Sequence, residues 1–239
     1  MDPVRNITIS IVIPVLGETT VLATLLDVLR SLDDDPLEII VVDGTNEPGV
    51  TECCRNHACI HLNTRSGRAH QMHAGALQSS GNVIWFLHAD TRPSADSIEA
   101  IRRAVRAGAV GGYFRFRFTG NPAWYKSLIA SLINFRCRFG VPYGDQGLFI
   151  RKTTYLQTGG FPDIALFEEV TLVRAARASG RFVRLDGSIG VSPRHWERDG
   201  WIRRTVGNRL LVFGFMLGLS PNRLARFYRF AAQEERAKC

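Results

Sequence analysis

The sequence predicts an α/β fold: a mainly parallel, doubly wound sheet with a C-terminal helical extension. Three observations predict it. Runs rich in β-branched and apolar residues lie at 7–14, 38–43 and 83–87, as expected of strands buried on both faces of a parallel sheet. Segments of helical period separate the runs. Polar residues gather where each run stops, at the carboxyl edge where such sheets bind ligands.

The first strand is predicted over 7–14 and is broken by Pro14 and Gly17. Thr19 or Thr20 caps a helix carrying Leu22, Leu25, Leu26 and Leu29 on one stripe, which the acidic stretch 33–36 ends. Residues 38–43 form the second strand, with Asp43 at its tip, and 59–62 a short third one. A helix follows over 68–79. The strand at 83–87 comes next, then a helix over 95–107. The rhythm changes after Gly108. Residues 111–118 (GGYFRFRF) alternate aromatic and polar side chains, which suits an antiparallel or edge strand with one wet face. Residues 121–139 read as helix, 143–152 as strand, 165–179 as helix, and 182–185 and 189–192 as short strands. From Trp196 onward the pattern is helical, with one break at Ser220-Pro221.

The chain has 239 residues, 45% of them hydrophobic, and a net charge of +8 carried almost wholly by arginine. Such a charge favours an anionic partner, and arginine favours bidentate phosphate or carboxylate contacts. No nucleic-acid recognition motif accompanies it. Five cysteines, an odd number in a chain of this size, argue against a disulfide framework and for a reducing, cytoplasmic compartment. Asp2 and Arg5 lead directly into a strand, so no signal peptide is expected.

The tip of the strand at 83–87 holds the densest chemistry. His88 and Asp90 stand two apart, so both side chains leave on the same side. They suit a divalent cation or a nucleotide hydroxyl; the alternative is a strand end meeting water.

Six segments in order resemble the motifs of the family 2 glycosyltransferases, which have a GT-A fold. They are SIVIPVLGE (10–18), EIIVVDG (38–44), GRAHQMHAGA (67–76), FLHADT (86–91), PYGDQGLFIR (142–151) and GGFP (159–162) followed by Glu168-Glu169. The resemblance covers nearly the whole chain. Within the family the sequence is most similar to a small bacterial branch associated with arsenosugar biosynthesis and radical-SAM enzymes.

The resemblance implies an inverting transfer of a sugar from a nucleotide diphosphate, such as a UDP-sugar, to an acceptor hydroxyl. It implies a GT-A catalytic domain over 1–196, split into a nucleotide-binding half (1–107) and an acceptor half (108–196), with a helical extension over 197–239. Donor contacts fall to Pro14, Glu18, Asp43, Arg68, His88 and Arg194. A Mn²⁺ or Mg²⁺ ion falls to Asp90, with His88 and His195. The family usually carries Asp-x-Asp where this chain has His88-Ala89-Asp90, and imidazole accommodates Mn²⁺ better than Mg²⁺. Glu169 stands at the place of the catalytic base, with Glu168 as its alternate. Asp145 falls to acceptor binding or, failing Glu169, to the base. Plainer readings stand beside these. Glu18 also suits a first-turn helix carboxylate, Asp43 a turn, and Glu168-Glu169 a solvated helix start.

The stretch 201–230 mixes apolar residues with arginines. It either lies in a membrane interface, at the inner face of the cell membrane where a lipid-linked acceptor would be met, or packs on the catalytic domain or in a homodimer. Two rival functions remain. One is a catalytically silent sugar-nucleotide-binding protein. The other is a nucleotidyltransferase, which would want a Gly-rich phosphate loop where 15–18 offers a poor one.

Overall fold

The computed structural model describes residues 7–32, 37–142 and 144–226. The acidic helix stop at 33–36, Tyr143 and the helical stretch expected past 226 lie outside the described residues.

Four parallel strands build the first half of one sheet: β1 (Ile9–Val15), β2 (Glu38–Asp43), β3 (Ile60–Asn63) and β4 (Val83–Phe86), in the order β3-β2-β1-β4. Period-2 alternation sends β1 to two cores. Ile11 and Ile13 pack with Leu22, Leu25, Leu26 and Leu29 of α1 (Thr19–Arg30), while Val12 packs with Ala69, Met72 and Ala76 of α3 (Arg68–Gln78) on the other face. Pro14 does not end the strand. β4 pairs with β1 only as far as Val12, so the chain at Pro14 is open on that side, where a residue without an N–H is tolerated. The sequence reading passed over α2 (Pro48–Asn56); α4 (Ser97–Arg106) falls within the expected 95–107.

The second half is mixed, continuing the sheet as β4-β7-β6-β8-β5. β7 (Phe149–Arg151) runs antiparallel to β4 and to β6 (Gly111–Phe118). β8 (Phe182–Val191) is parallel to β6 and antiparallel to the short β5 (Thr91–Pro93). This corrects three expectations. β6 is antiparallel to β7, as one of the two readings had it, but it is an interior strand and largely buried, because β7 and β8 cover both its edges. Residues 143–152 are strand only over β7; a 3₁₀ turn at Gly144–Gln146 precedes it, and α6 (Lys152–Gln157) begins where the strand reading ended. The two short strands at 182–192 are one, because β8 keeps its pairing with β6 across a register shift between Tyr113 and Arg115.

α5 (Trp124–Phe139) packs Ala130 and Ile133 into the core of Ile11 and Phe116, and α7 (Glu168–Ser179) packs Leu172, Val173 and Ala176 into the core of Val12 on the other face. The final helical stretch also breaks at Gly200, whose φ of 82° divides α8 (Arg194–Asp199) from α9 (Trp201–Met216). No described helix is long and apolar enough to cross a membrane.

Candidate active site

β4 delivers the chain to the site. Its four residues are wholly buried, and Leu87 donates its N–H to the Val12 carbonyl, so the backbone is held up to His88. The His88 carbonyl then accepts from both the N–H and the hydroxyl of Thr91, closing a tight turn that lifts His88 and Asp90 off the sheet.

Both open into a cavity of about 370 Å³. The cavity unites six of the sequence-predicted residues: Arg68, His88, Asp90, Asp145, Glu169 and His195. Pro14, Glu18, Asp43, Glu168 and Arg194 do not line it.

The acidic pair sits at the start of α7, where Phe167 precedes it with a left-handed backbone, φ 63°. Such a conformation in an aromatic residue stores strain and is met at functional sites. It turns both carboxylates inward, each 1% exposed. The solvated alternative for the pair is therefore ruled out. Arg68, opening α3, compensates them: its Nε donates to Glu168 Oε1 at 2.5 Å and its Nη2 to Glu169 Oε1 at 3.2 Å. Glu168 Oε2 has no hydrogen-bond partner among the described residues.

A second arginine ties the two ends of the chain. Arg194 lies at the start of α8, 176 residues from Glu18, and its Nη2 reaches Glu18 Oε1 at 2.5 Å and Asp90 Oδ2 at 3.5 Å. Glu18 precedes α1 and makes no cap bond, so its carboxylate holds Arg194 rather than the helix N-terminus.

The electrostatics follow from depth. Burial pushes His88 down to about 3, with the Arg68 charge acting in the same direction, so its imidazole is neutral at any ordinary pH. Burial and the arginines Arg204, Arg194 and Arg198 also lower His195. Burial raises Asp90 and Asp145 above the usual carboxylate range, against the pull of Arg194 at the first and Arg136 at the second.

Asp43 lies outside the cavity. Its Oδ1 accepts from the N–H and hydroxyl of Thr45, its Oδ2 from the N–H of Glu47, and its side chain is wholly buried. These bonds hold the turn that leaves β2. Gln71 of α3 closes the same edge by donating to the carbonyls of Val15 and Val42, 2.8 Å each.

Among the described residues no three His, Cys, Asp or Glu side chains are grouped to hold a metal ion by themselves. One carboxylate beside neutral imidazoles fits a hard cation only as a shared site, completed by phosphate oxygens and water.

The sequence reading missed one whole wall. Leu132 and Arg136 of α5, and Thr205, Asn208, Arg209 and Val212 of α9, line the cavity. A signal was present: the four α9 positions fall at i, i+3, i+4 and i+7, three of them polar residues on one stripe.

Residues 10–161 match the model of glycosyl transferase family 2. No curated protein matches the sequence. S. aureus TarS has a similar structure, with a TM-score of 0.61 at 14% identity over 89% of this chain and 40% of that one. S. aureus TarS 1-349 in complex with UDP-GlcNAc aligns with a TM-score of 0.56 at 15% identity, over 77% of this chain and 58% of the other. The same protein in complex with UDP gives 0.56 at 15% identity, over 85% and 65%. The chain thus spans about two fifths of the larger TarS structure, and at these identities the likeness is one of fold.

Proposed function

The chain belongs to glycosyl transferase family 2, and from that premise we propose that it transfers a sugar, with inversion, from a nucleotide diphosphate donor to an acceptor hydroxyl. One observation carries the reading: Asp90, His88 and Arg68 from the nucleotide half share a single cavity with Glu169 and Asp145 from the other half. The fold neighbour solved with UDP-GlcNAc supports a UDP-sugar as the donor.

Each residue then has a task. Glu169 takes the proton of the acceptor hydroxyl as its oxygen bonds to the anomeric carbon, and the bond from that carbon to the diphosphate breaks with its electrons going to the leaving group. Glu168, held by Arg68, fixes the start of α7. Asp145 orients the acceptor. Arg68, in the cavity wall, and Arg194, beside Asp90, would neutralise the departing diphosphate. Asp90 and His195, with His88, would hold a Mn²⁺ or Mg²⁺ ion, which supplies further positive charge to that diphosphate when bound. A neutral His88 and a His195 held towards neutrality suit such a ligand role.

Pairing of both acids with Arg68 favours a second reading, a sugar-nucleotide-binding protein that does not transfer. One series of measurements separates the two. UDP and UDP-sugars with Mn²⁺ or Mg²⁺ should raise the melting temperature, and Asp90→Ala should abolish the metal-dependent part of the rise. Glu169→Gln should keep donor binding and lose sugar release by at least about a hundredfold. Turnover near wild type in either variant rejects the assigned role; donor binding without any release by the wild-type chain selects the silent reading.

A further inference from the structure

Two helices that border the cavity also turn apolar faces outward. On α5, Trp124, Leu128 and Leu132 follow one another at four-residue steps, and Trp124 is 77% exposed. On α9, Ile202, Val206 and Leu210 do the same, with Ile202 at 82%. The helices are joined at their starts, where Tyr125 and Trp201 meet ring to ring at 4.9 Å. Leu132 is both cavity lining and about half exposed, so the cavity wall runs on into the outer face.

The charge on these helices selects the occupant. They contain Lys126, Arg136, Arg138, Arg203, Arg204 and Arg209 and no Asp or Glu. Arg138, Arg203 and Arg209 are exposed. A second copy of the same face would bring like charges together. An apolar stripe with an arginine flank instead matches the interface of an anionic bilayer, which takes apolar side chains below its headgroups and attracts cations above them. We propose that α5 and α9 together dock on an anionic lipid surface and set the cavity mouth at headgroup level. The acceptor is then an alcohol borne on an amphipathic lipid, a step that rests on the transfer reading.

Co-sedimentation of the full chain with vesicles tests this. Vesicles of phosphatidylcholine mixed with phosphatidylglycerol should carry down several times more protein than phosphatidylcholine alone, and high salt should remove the difference. The double variant Trp124→Ser/Ile202→Ser should lower the bound fraction at least about fivefold while the UDP-induced rise in melting temperature persists. Binding no greater than without vesicles, or undiminished in the variant, overturns the proposal. So does a dimer in lipid-free solution that the same substitutions dissolve, which assigns the face to self-association. If vesicles bind and no UDP-sugar shifts the melting temperature, the transfer reading fails and the docking surface stands.

Discussion

Arg68 is the residue on which the site's charge balance turns. Its guanidinium serves two carboxylates that are almost wholly buried. Removing one member of a wholly buried pair costs about 3–5 kcal/mol. Arg68 itself is 43% exposed, and solvent screening trims that, so Arg68→Ala should cost about 1–3 kcal/mol in urea titration. Adding Glu168→Gln to that background should recover part of the loss, because the Glu168 charge that Arg68 balanced is then gone. Asp43 yields a pH signature. Burial raises its pKa, but the hydrogen bonds from Thr45 and Glu47 outweigh it and leave the group below its ordinary value of 3.8. A depressed carboxylate stabilises fully above the unfolded value and loses that contribution as pH falls through the native one. Asp43→Asn should therefore cost about 1–2 kcal/mol at neutral pH, and the gap to wild type should close as acid unfolding proceeds. Asp90 and Glu169 were legible in the sequence because motif position singles them out. The pairing of Arg68 with Glu168 was not, since 100 residues of chain separate them. Nor were the bonds that Thr45 and Glu47 donate to Asp43, because the local sequence does not show which acceptor a turn's N–H groups will find.

At the level of elements, close packing sets the position of α3 and with it Arg68. A Cβ on Gly75 would lie 2.5 Å from Val12 Cγ1 and 2.9 Å from Val42 Cγ2, and β-branched side chains have little rotamer freedom to yield. Gly75→Ala should cost about 1–3 kcal/mol by urea melt. On the opposite wall, Phe215 of α9 stacks on the strained Phe167 at 4.5 Å between ring centres. Phe215→Ala should lower stability by at least about 1 kcal/mol, and sugar transfer should slow with it because Phe167 precedes Glu168-Glu169 and sets their direction. The period of four leucines made α1 readable. α2 was missed although Pro48 holds the first-turn position that proline favours, because Pro48-Gly49 also spells a turn. β5, three residues long, carries too short a pattern to register, and its existence depends on β8 lying beside it.

Across the whole molecule, a parallel half and a mixed half meet at the β4–β7 pair. β1 and β4, on the parallel side of that junction, are buried on both faces, whereas Gly214 is the only residue buried within α9. Amide exchange should therefore be slowest in β1, β2 and β4 and markedly faster along α9; equal protection of α9 would contradict its place as an outer wall. The change of rhythm after Gly108 marks the start of β6, yet β5, which pairs with β8 in the mixed half, precedes it. The order in which β7 enters between β4 and β6 was not legible in sequence, because long-range strand pairing leaves no mark on either partner alone. Two indoles give this architecture an optical reading. Trp196 lies in the cavity wall, 7% exposed and 5.0 Å from Phe118, while Trp124 stands on the outer face. A sugar nucleotide entering the cavity should alter the emission of the first, and a bilayer should move that of the second towards the blue. The chain thus reports the filling of its interior and the drying of its outer face in one unlabelled spectrum.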